Sequence, residues 1–222
     1  MQRILSISVM LSFMLTSGGF LAGTVSLAIP ARAQTIVDEW ATAKLPAPPQ
    51  LKPAKIAVPK ETALLVMDFT NQTCSKERRP RCTASVPKVA KLVNDARAKG
   101  ALIIYSIAGT GATNADILKE LAPRAGETIL GAIGPDKFIG SDLEKIVKDK
   151  AIKTVVAMGT QAQTSVLHTA GAAALRGFKV IVPVDGMSSD DTFPELYTAW
   201  HLATAARISN ETTLTKLDLI GF

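Results

Sequence analysis

The chain has 222 residues, 47% hydrophobic, 20% charged and 5% aromatic, with 25 Lys and Arg against 19 Asp and Glu for a net charge of +6. So modest a basic excess, with so few aromatics to stack bases, excludes a dedicated nucleic-acid interface. The two histidines, His168 and His201, show no ligand spacing to either of the two cysteines, so no zinc site is expected, and no cofactor is expected either.

The first residues place Arg3 before a long apolar stretch that ends in Ala31-Arg32-Ala33, the small-x-small pattern read by signal peptidase. Residues 1–33 are therefore expected to be a signal peptide, with export to the periplasm or the outside of the cell. The stretch is also long enough to span a bilayer, so an uncleaved anchor is the competing reading; Gly18, Gly19, Gly23 and Pro30 weaken it as a stable helix. No stable membrane insertion is expected after cleavage. Leu21-Ala22-Gly23-Thr24 has Thr where a lipidated Cys would stand, so no lipid anchor follows. Cleavage after Ala33 leaves 189 of the 222 residues and removes Arg3 and Arg32, lowering the net charge from +6 to +4. That length suits one domain with a sizeable core.

Residues 34–60 are rich in Pro and Ala with no sustained period and read as an extended arm, leaving 61–222 as the domain. Short apolar runs then alternate with amphipathic segments. In order they are ALLVMD, VPKVAKLVNDARAKG, ALIIYSI, a looser stretch to Pro135, SDLEKIVKDK, KTVVAMG, QTSVLHTAGAAALRG, FKVIVPVD and PELYTAWHLATAARI. Continuous apolar strands interleaved with helices predict an α/β fold: a single doubly wound, mostly parallel β-sheet flanked by helices. Gly100 and Gly177 stand where two helices need a left-handed stop. Tyr197 and Trp200 are left between core packing and an interface.

Ligands of such sheets sit outside the carboxyl ends of the strands, which directs attention to Asp68, the Ala108–Asn114 loop, Gly159–Ser165 and Asp185. Asp68 ends ALLVMD, where it is either a turn residue or a carboxylate held at the sheet rim as a general acid or base. The Ala108–Asn114 loop lacks the third glycine of a dinucleotide fingerprint and reads as an active-site loop. Lys137, in Gly134-Pro-Asp-Lys-Phe-Ile-Gly140, is either a solvated charge or, given Pro135 and Phe138 beside it, a placed one. Ser165 follows KTVVAMG at a helix start, where free backbone N–H groups can face an anion, although Gln163, Thr164 and Ser165 are also ordinary helix-start residues. A Ser165–His168 couple lacks a third, orienting group. Cys74 and Cys82, with seven residues between them and an oxidising compartment expected, favour a disulfide over free thiols. The run Lys76–Arg81 inside that loop reads as solvated and placed to steer anions.

These positions together resemble the isochorismatase-like hydrolase superfamily, which includes nicotinamidases, other amidohydrolases and isochorismatases. The resemblance rests on Asp68-Phe-Thr-Asn71, with Thr70 where Gln is typical, on Pro135-Asp-Lys-Phe-Ile-Gly-Ser-Asp142, and on Gly159-Thr-Gln-Ala-Gln-Thr-Ser-Val166. It implies a catalytic site of Asp68, Lys137 and Ser165, with Asn71, Thr160, Gln161 and Phe138 lining the substrate pocket, and Ser165 standing where relatives carry a nucleophilic Cys. A serine hydroxyl needs a stronger base than a thiol does, so Asp68 and Lys137 suit a thiolate better than an alkoxide. Two readings follow from the resemblance. One is a hydrolase of a small molecule in which Asp68 works as acid or base without a covalent intermediate. The other is a binding protein that keeps the pocket without turnover. Relatives commonly self-associate, so a homo-oligomer is compatible with both.

Overall fold

The computed structural model describes residues 35–132 and 134–222; the expected signal peptide, 1–33, lies outside the described residues. The chain divides into two compact units at Lys44/Leu45. In the first, Thr35 caps a one-turn helix α1 (Ile36–Glu39), its N–H and hydroxyl donating to Asp38 Oδ2 at 2.8 and 2.9 Å.

The second unit runs from Leu45 to Phe222. In chain order its strands are β1 (Ala54–Lys55), β2 (Thr62–Met67), β3 (Leu102–Ile107), β4 (Thr128–Ala132), β5 (Thr154–Thr160), β6 (Lys179–Pro183), β7 (Met187–Ser188), β8 (Thr212–Thr215) and β9 (Ile220–Gly221). Its helices are α2 (Pro80–Ala98), α3 (Leu143–Asp149), α4 (Leu167–Leu175) and α5 (Thr192–Thr204). The arm expected to end at residue 60 is thus partly domain: β1 pairs with β9, Lys52 N–H donates to Leu214 O at 2.9 Å, and Ala54 and Ile56 are buried.

The central sheet has the order β4-β3-β2-β5-β6-β8, with β7 beside the end of β5, and every pairing in it is parallel. The reason lies in β2, whose six residues are all buried. Leu64 and Val66 join the cluster of α2 residues Val86, Val89 and Val93. Ala63, Leu65 and Met67 join Leu143 and Val147 of α3, Ala170 and Ala173 of α4, and Leu202 of α5. Each such Leu or Val contributes roughly 2 kcal/mol by burial, so a strand covered on both faces has no use for polar residues. β4 and β8 occupy the sheet edges, where Thr128, Thr212 and Thr213 are tolerated because one side has no strand partner among the described residues.

Gly100 and Gly177, at φ +79° and +85°, make the left-handed turns out of α2 and α4. The start of α2 differs from the sequence expectation. It begins at Pro80, not near Val86, and runs through Pro87. Pro80 occupies the first turn, where its missing N–H costs nothing, and the helix is anchored there by the preceding loop. Along α5, Tyr197 and Trp200 stack at 6.5 Å and remain 38% and 37% exposed, so neither is core.

The chain leaves β2 for β3 and β4 on one side, then returns to lay β5 on the other side of β2. The carboxyl ends of β2 and β5 therefore flank a topological switch point, where a crevice opens between diverging connections. Asp68 follows the first of these strands and Gln161 the second.

Candidate active site

Asp68 leaves β2 with φ +61°, a left-handed conformation that Asp tolerates better than most residues but that still costs free energy. Backbone and side-chain hydrogen bonds hold the turn. Thr70 N–H donates to Asp68 O at 2.9 Å, the Thr73 hydroxyl donates to the same oxygen, and Asp68 N–H donates to Ser106 O at 3.0 Å. The turn sends the carboxylate across the switch point, where it is 1% exposed.

Three groups meet that carboxylate. Ser106 Oγ, from β3, donates to Oδ1 at 2.6 Å. Ser165 Oγ donates to Oδ2, and Lys137 Nζ approaches the same oxygen at 2.9 Å. Lys137 and Ser165 are themselves 1% and 4% exposed. A buried carboxylate facing a buried ammonium avoids the large cost of either charge alone, and the two hydroxyls occupy further acceptor positions. The sequence alternatives of a turn residue for Asp68 and a solvated charge for Lys137 therefore give way to one ion pair.

Lys137 is placed by its loop. Its N–H donates to Thr169 Oγ1 of α4 at 3.1 Å, Thr169 Oγ1 donates to Pro135 O at 3.2 Å, and Ser141 Oγ donates to Lys137 O at 2.5 Å. Nζ also donates to Gly134 O at 3.2 Å.

Ser165 is delivered by the chain leaving β5. The Thr160–Gln161 peptide is cis, and a turn of π-helix, Ala162–Val166, leads into α4. Val166 N–H closes that turn on Gln161 O at 3.3 Å. His168 is exposed, and His201 lies on α5 with its ring 5.9 Å from that of Tyr197, so Ser165 meets a carboxylate and not an imidazole.

The pocket-lining expectations fare unevenly. Asn71 is exposed beside the Asp68 turn, its N–H held by Asp116 O at 2.8 Å. Thr160 is buried with its hydroxyl accepting from Arg79 Nη1 at 2.9 Å, and half-buried Gln161 donates from Nε2 to Asp190 Oδ2 at 2.7 Å. Phe138 is buried against Phe178 at 6.3 Å, with the Arg176 guanidinium 4.5 Å over its ring, so its apolar side chain packs in the core. Asp185 is also elsewhere, accepting from Leu217 N–H at 2.7 Å and pairing with Lys88 at 3.2 Å.

Cys74 and Cys82 form a disulfide. The basic run it encloses is not simply solvated. Arg79 is 1% exposed and ion-paired with Asp190, while Arg81 pairs with Glu195 at 2.5 Å. Sequence reasoning missed Ser106 and Arg79. For Ser106 a signal existed: it is the one serine in the apolar run LIIYSI, and it is in register with Met67, one residue before Asp68.

The family profile described as "Isochorismatase domain" matches residues 62–213. A secreted isochorismatase effector, Isc1, of Verticillium dahliae is 28% identical over 149 residues, covering 63% of this chain and 78% of that protein. Among solved structures, an isochorismatase-like hydrolase from Alkaliphilus metalliredigens superposes with a TM-score of 0.63 at 24% identity, over 71% of this chain and 95% of that one. The N-carbamoylsarcosine amidase of Thermoplasma acidophilum does so with a TM-score of 0.62 at 22% identity, over 71% and 96%. At these identities the two structures speak for the fold alone. The profile spans the whole sheet from β2 into β8 and includes Asp68, Ser106, Lys137 and Ser165, and by that match the chain belongs to the isochorismatase family.

Proposed function

We propose that this chain is an exported isochorismatase-like hydrolase acting on a small molecule, with Asp68 as acid and base, Lys137 as its electrostatic partner, and Ser165 as a hydrogen-bonding residue at the position where relatives carry a nucleophilic cysteine. One observation carries the reading: the Ser165 hydroxyl and the Lys137 ammonium converge on the same oxygen of Asp68. Serine attack requires a strong base to take its proton, and carboxylates are weak ones. With His168 exposed, the site suits proton transfer to and from substrate better than an acyl-serine intermediate.

An enol ether fits that chemistry. Asp68, an ion-paired carboxylate at rest, first takes up a proton from solvent and delivers it to the terminal vinyl carbon; water adds to the resulting oxocarbenium ion and returns a proton to Asp68, and the hemiketal collapses to a ketone and an alcohol. Lys137 and the Ser106 and Ser165 hydroxyls hold the carboxylate in one orientation throughout. Export is supported by the apolar leader, by the disulfide, and by the name of the secreted Verticillium relative.

The test is a set of variants, Asp68→Asn, Lys137→Ala and Ser165→Ala, assayed on a panel of small amides and enol ethers. Asp68→Asn should lose about 10²–10⁴ in kcat, and Ser165→Ala should lose about tenfold or less. A trapped acyl-serine would overturn the mechanism. Failure of the wild type on the whole panel, with a compound still raising its Tm, would point to the binding role. Export is tested by the amino terminus of the mature protein, expected at Gln34.

A further inference from the structure

We propose that Arg79 is a positioning residue that locks the Asp68 side of the site to the Ser165 side, an inference that rests on the site assignment above. Arg79 lies at the amino end of α2, inside the Cys74–Cys82 loop, where its N–H donates to Ser75 O at 2.7 Å. A guanidinium is seldom so fully buried, and here it joins three segments that are distant in sequence. Nη1 donates to Thr73 O at 2.5 Å and to Thr160 Oγ1 at 2.9 Å, Nε donates to Asp190 Oδ1 at 2.8 Å, and Nη2 lies 2.7 Å from that same oxygen.

Each contact leads one step further into the site. Thr73, whose carbonyl accepts from Arg79, donates its own hydroxyl to Asp68 O and so fixes the turn that aims the carboxylate. Thr160, whose hydroxyl accepts from Arg79, ends β5. Asp190 accepts from Arg79 on one oxygen and from Gln161 Nε2 on the other at 2.7 Å, so the residue after Thr160 is held as well. Thr160 and Gln161 immediately precede the π-helical turn that delivers Ser165. The β2–β5 ladder ends at Met67 and Gly159, and beyond it one planar group with fixed donor directions ties the turn after β2 to the chain leaving β5. Being 1% exposed, Arg79 acts through Thr73, Thr160 and Asp190 and not on substrate.

The experiment compares Arg79→Met, Arg79→Lys and Asp190→Asn in the mature, disulfide-bonded protein, reading kcat, KM, Tm and amide hydrogen exchange together. Arg79→Met should lower kcat at least tenfold with KM within about twofold, and should speed exchange at 160–166 at least tenfold while β2 and β3 exchange as in wild type. Arg79→Lys keeps the charge facing Asp190 but not the three-way span, so it should restore Tm without restoring kcat. Asp190→Asn weakens only the exposed half of the clamp and should lower kcat about threefold, which keeps the test available if Arg79→Met fails to fold. A folded Arg79→Met with kcat within twofold of wild type, or a series in which kcat follows Tm through Arg79→Lys, would overturn the proposal. If the wild type turns over no compound, the assignment of turnover fails and exchange at 160–166 alone decides the clamp: acceleration confined to that segment supports it, and unchanged exchange overturns it.

Discussion

Replacing Lys137 by Met removes the ammonium from a carboxylate that has almost no access to water. Asp68 and Lys137 have side chains 1% and 2% exposed, and their 2.9 Å pair carries little solvent screening. Deleting one member of such a pair costs about 3–5 kcal/mol, chiefly because the remaining charge is left buried. Asp68 keeps the donors Ser106 Oγ and Ser165 Oγ, which places the expected loss at the lower end, about 3 kcal/mol. Gly134 O also loses a donor but lies in an exposed loop residue and can be hydrated. The assay is urea denaturation of the protein, with the slope m unchanged as the sign that only stability moved. Asp68→Asn should be destabilising for the converse reason, and the double variant should recover about 2 kcal/mol relative to the sum of the two single losses. A single loss below about 1 kcal/mol, or strict additivity, would refute the claim that the two groups neutralise each other in a buried site.

Three further outcomes follow from other contacts. Removing the Cys74–Cys82 bond with serines frees a loop of sequence separation 8, for which chain entropy gives a loss of about 2.5 kcal/mol in denaturation; equal stability of the oxidised protein and the double-serine variant would contradict it. Burial pushes the Glu127 carboxyl up, but hydrogen bonds from the Arg97 side chain and the Arg124 N–H, with their charges, outweigh it and hold the group below its usual value. A depressed carboxyl stabilises the fold above its unfolded pKa and loses that contribution as the pH falls through the folded one, so Glu127→Gln should be most destabilised relative to wild type near neutrality and converge with it in acid; a pH-independent gap would rule this out. A Cβ on Gly159 would stand 2.5 Å from Met67 O and 2.8 Å from Met67 Cβ. Because backbone between paired strands yields little, Gly159→Ala should cost about 3 kcal/mol and lower Tm by roughly 6–12 °C, and a Tm within about 2 °C of wild type would show that β2 and β5 can separate.

The parts of the structure legible in the sequence are those governed by repetition. The runs ALLVM, LIIYSI, TVVAMG and KVIVP could be read as buried strands because both their faces are covered, and their parallel pairing then follows from the helices between them, whereas the strand order does not. β1, β4 and β8 escaped because edge and two-residue strands have no period to show and carry Thr and Lys. Asp68, Lys137 and Ser165 were placed together through a resemblance in order and spacing, and the structure brings all three to one carboxylate. Phe138 packs against Phe178 in the core, a contact 40 residues away in sequence that no local pattern shows. Arg79 was hidden by its company: within Lys76-Glu-Arg-Arg-Pro-Arg81 nothing in composition distinguishes the one guanidinium that turns inward from those that stay at the surface.

The contacts that make the site differ sharply in how much chain they close. The disulfide joins residues 8 apart, whereas Ser165 and Asp68 are 97 apart and Arg79 and Asp190 are 111 apart. Loop-closure entropy grows with separation, and parallel sheets add their pairings slowly. The short loop can therefore close while most of the chain is still unstructured, arranging Arg79 before its partners arrive, and the carboxylate at the end of β2 waits for the second half of the chain. No partial fold built from the residues before β5 contains Ser165, so the site belongs to the completed sheet and to no earlier state on the way to it.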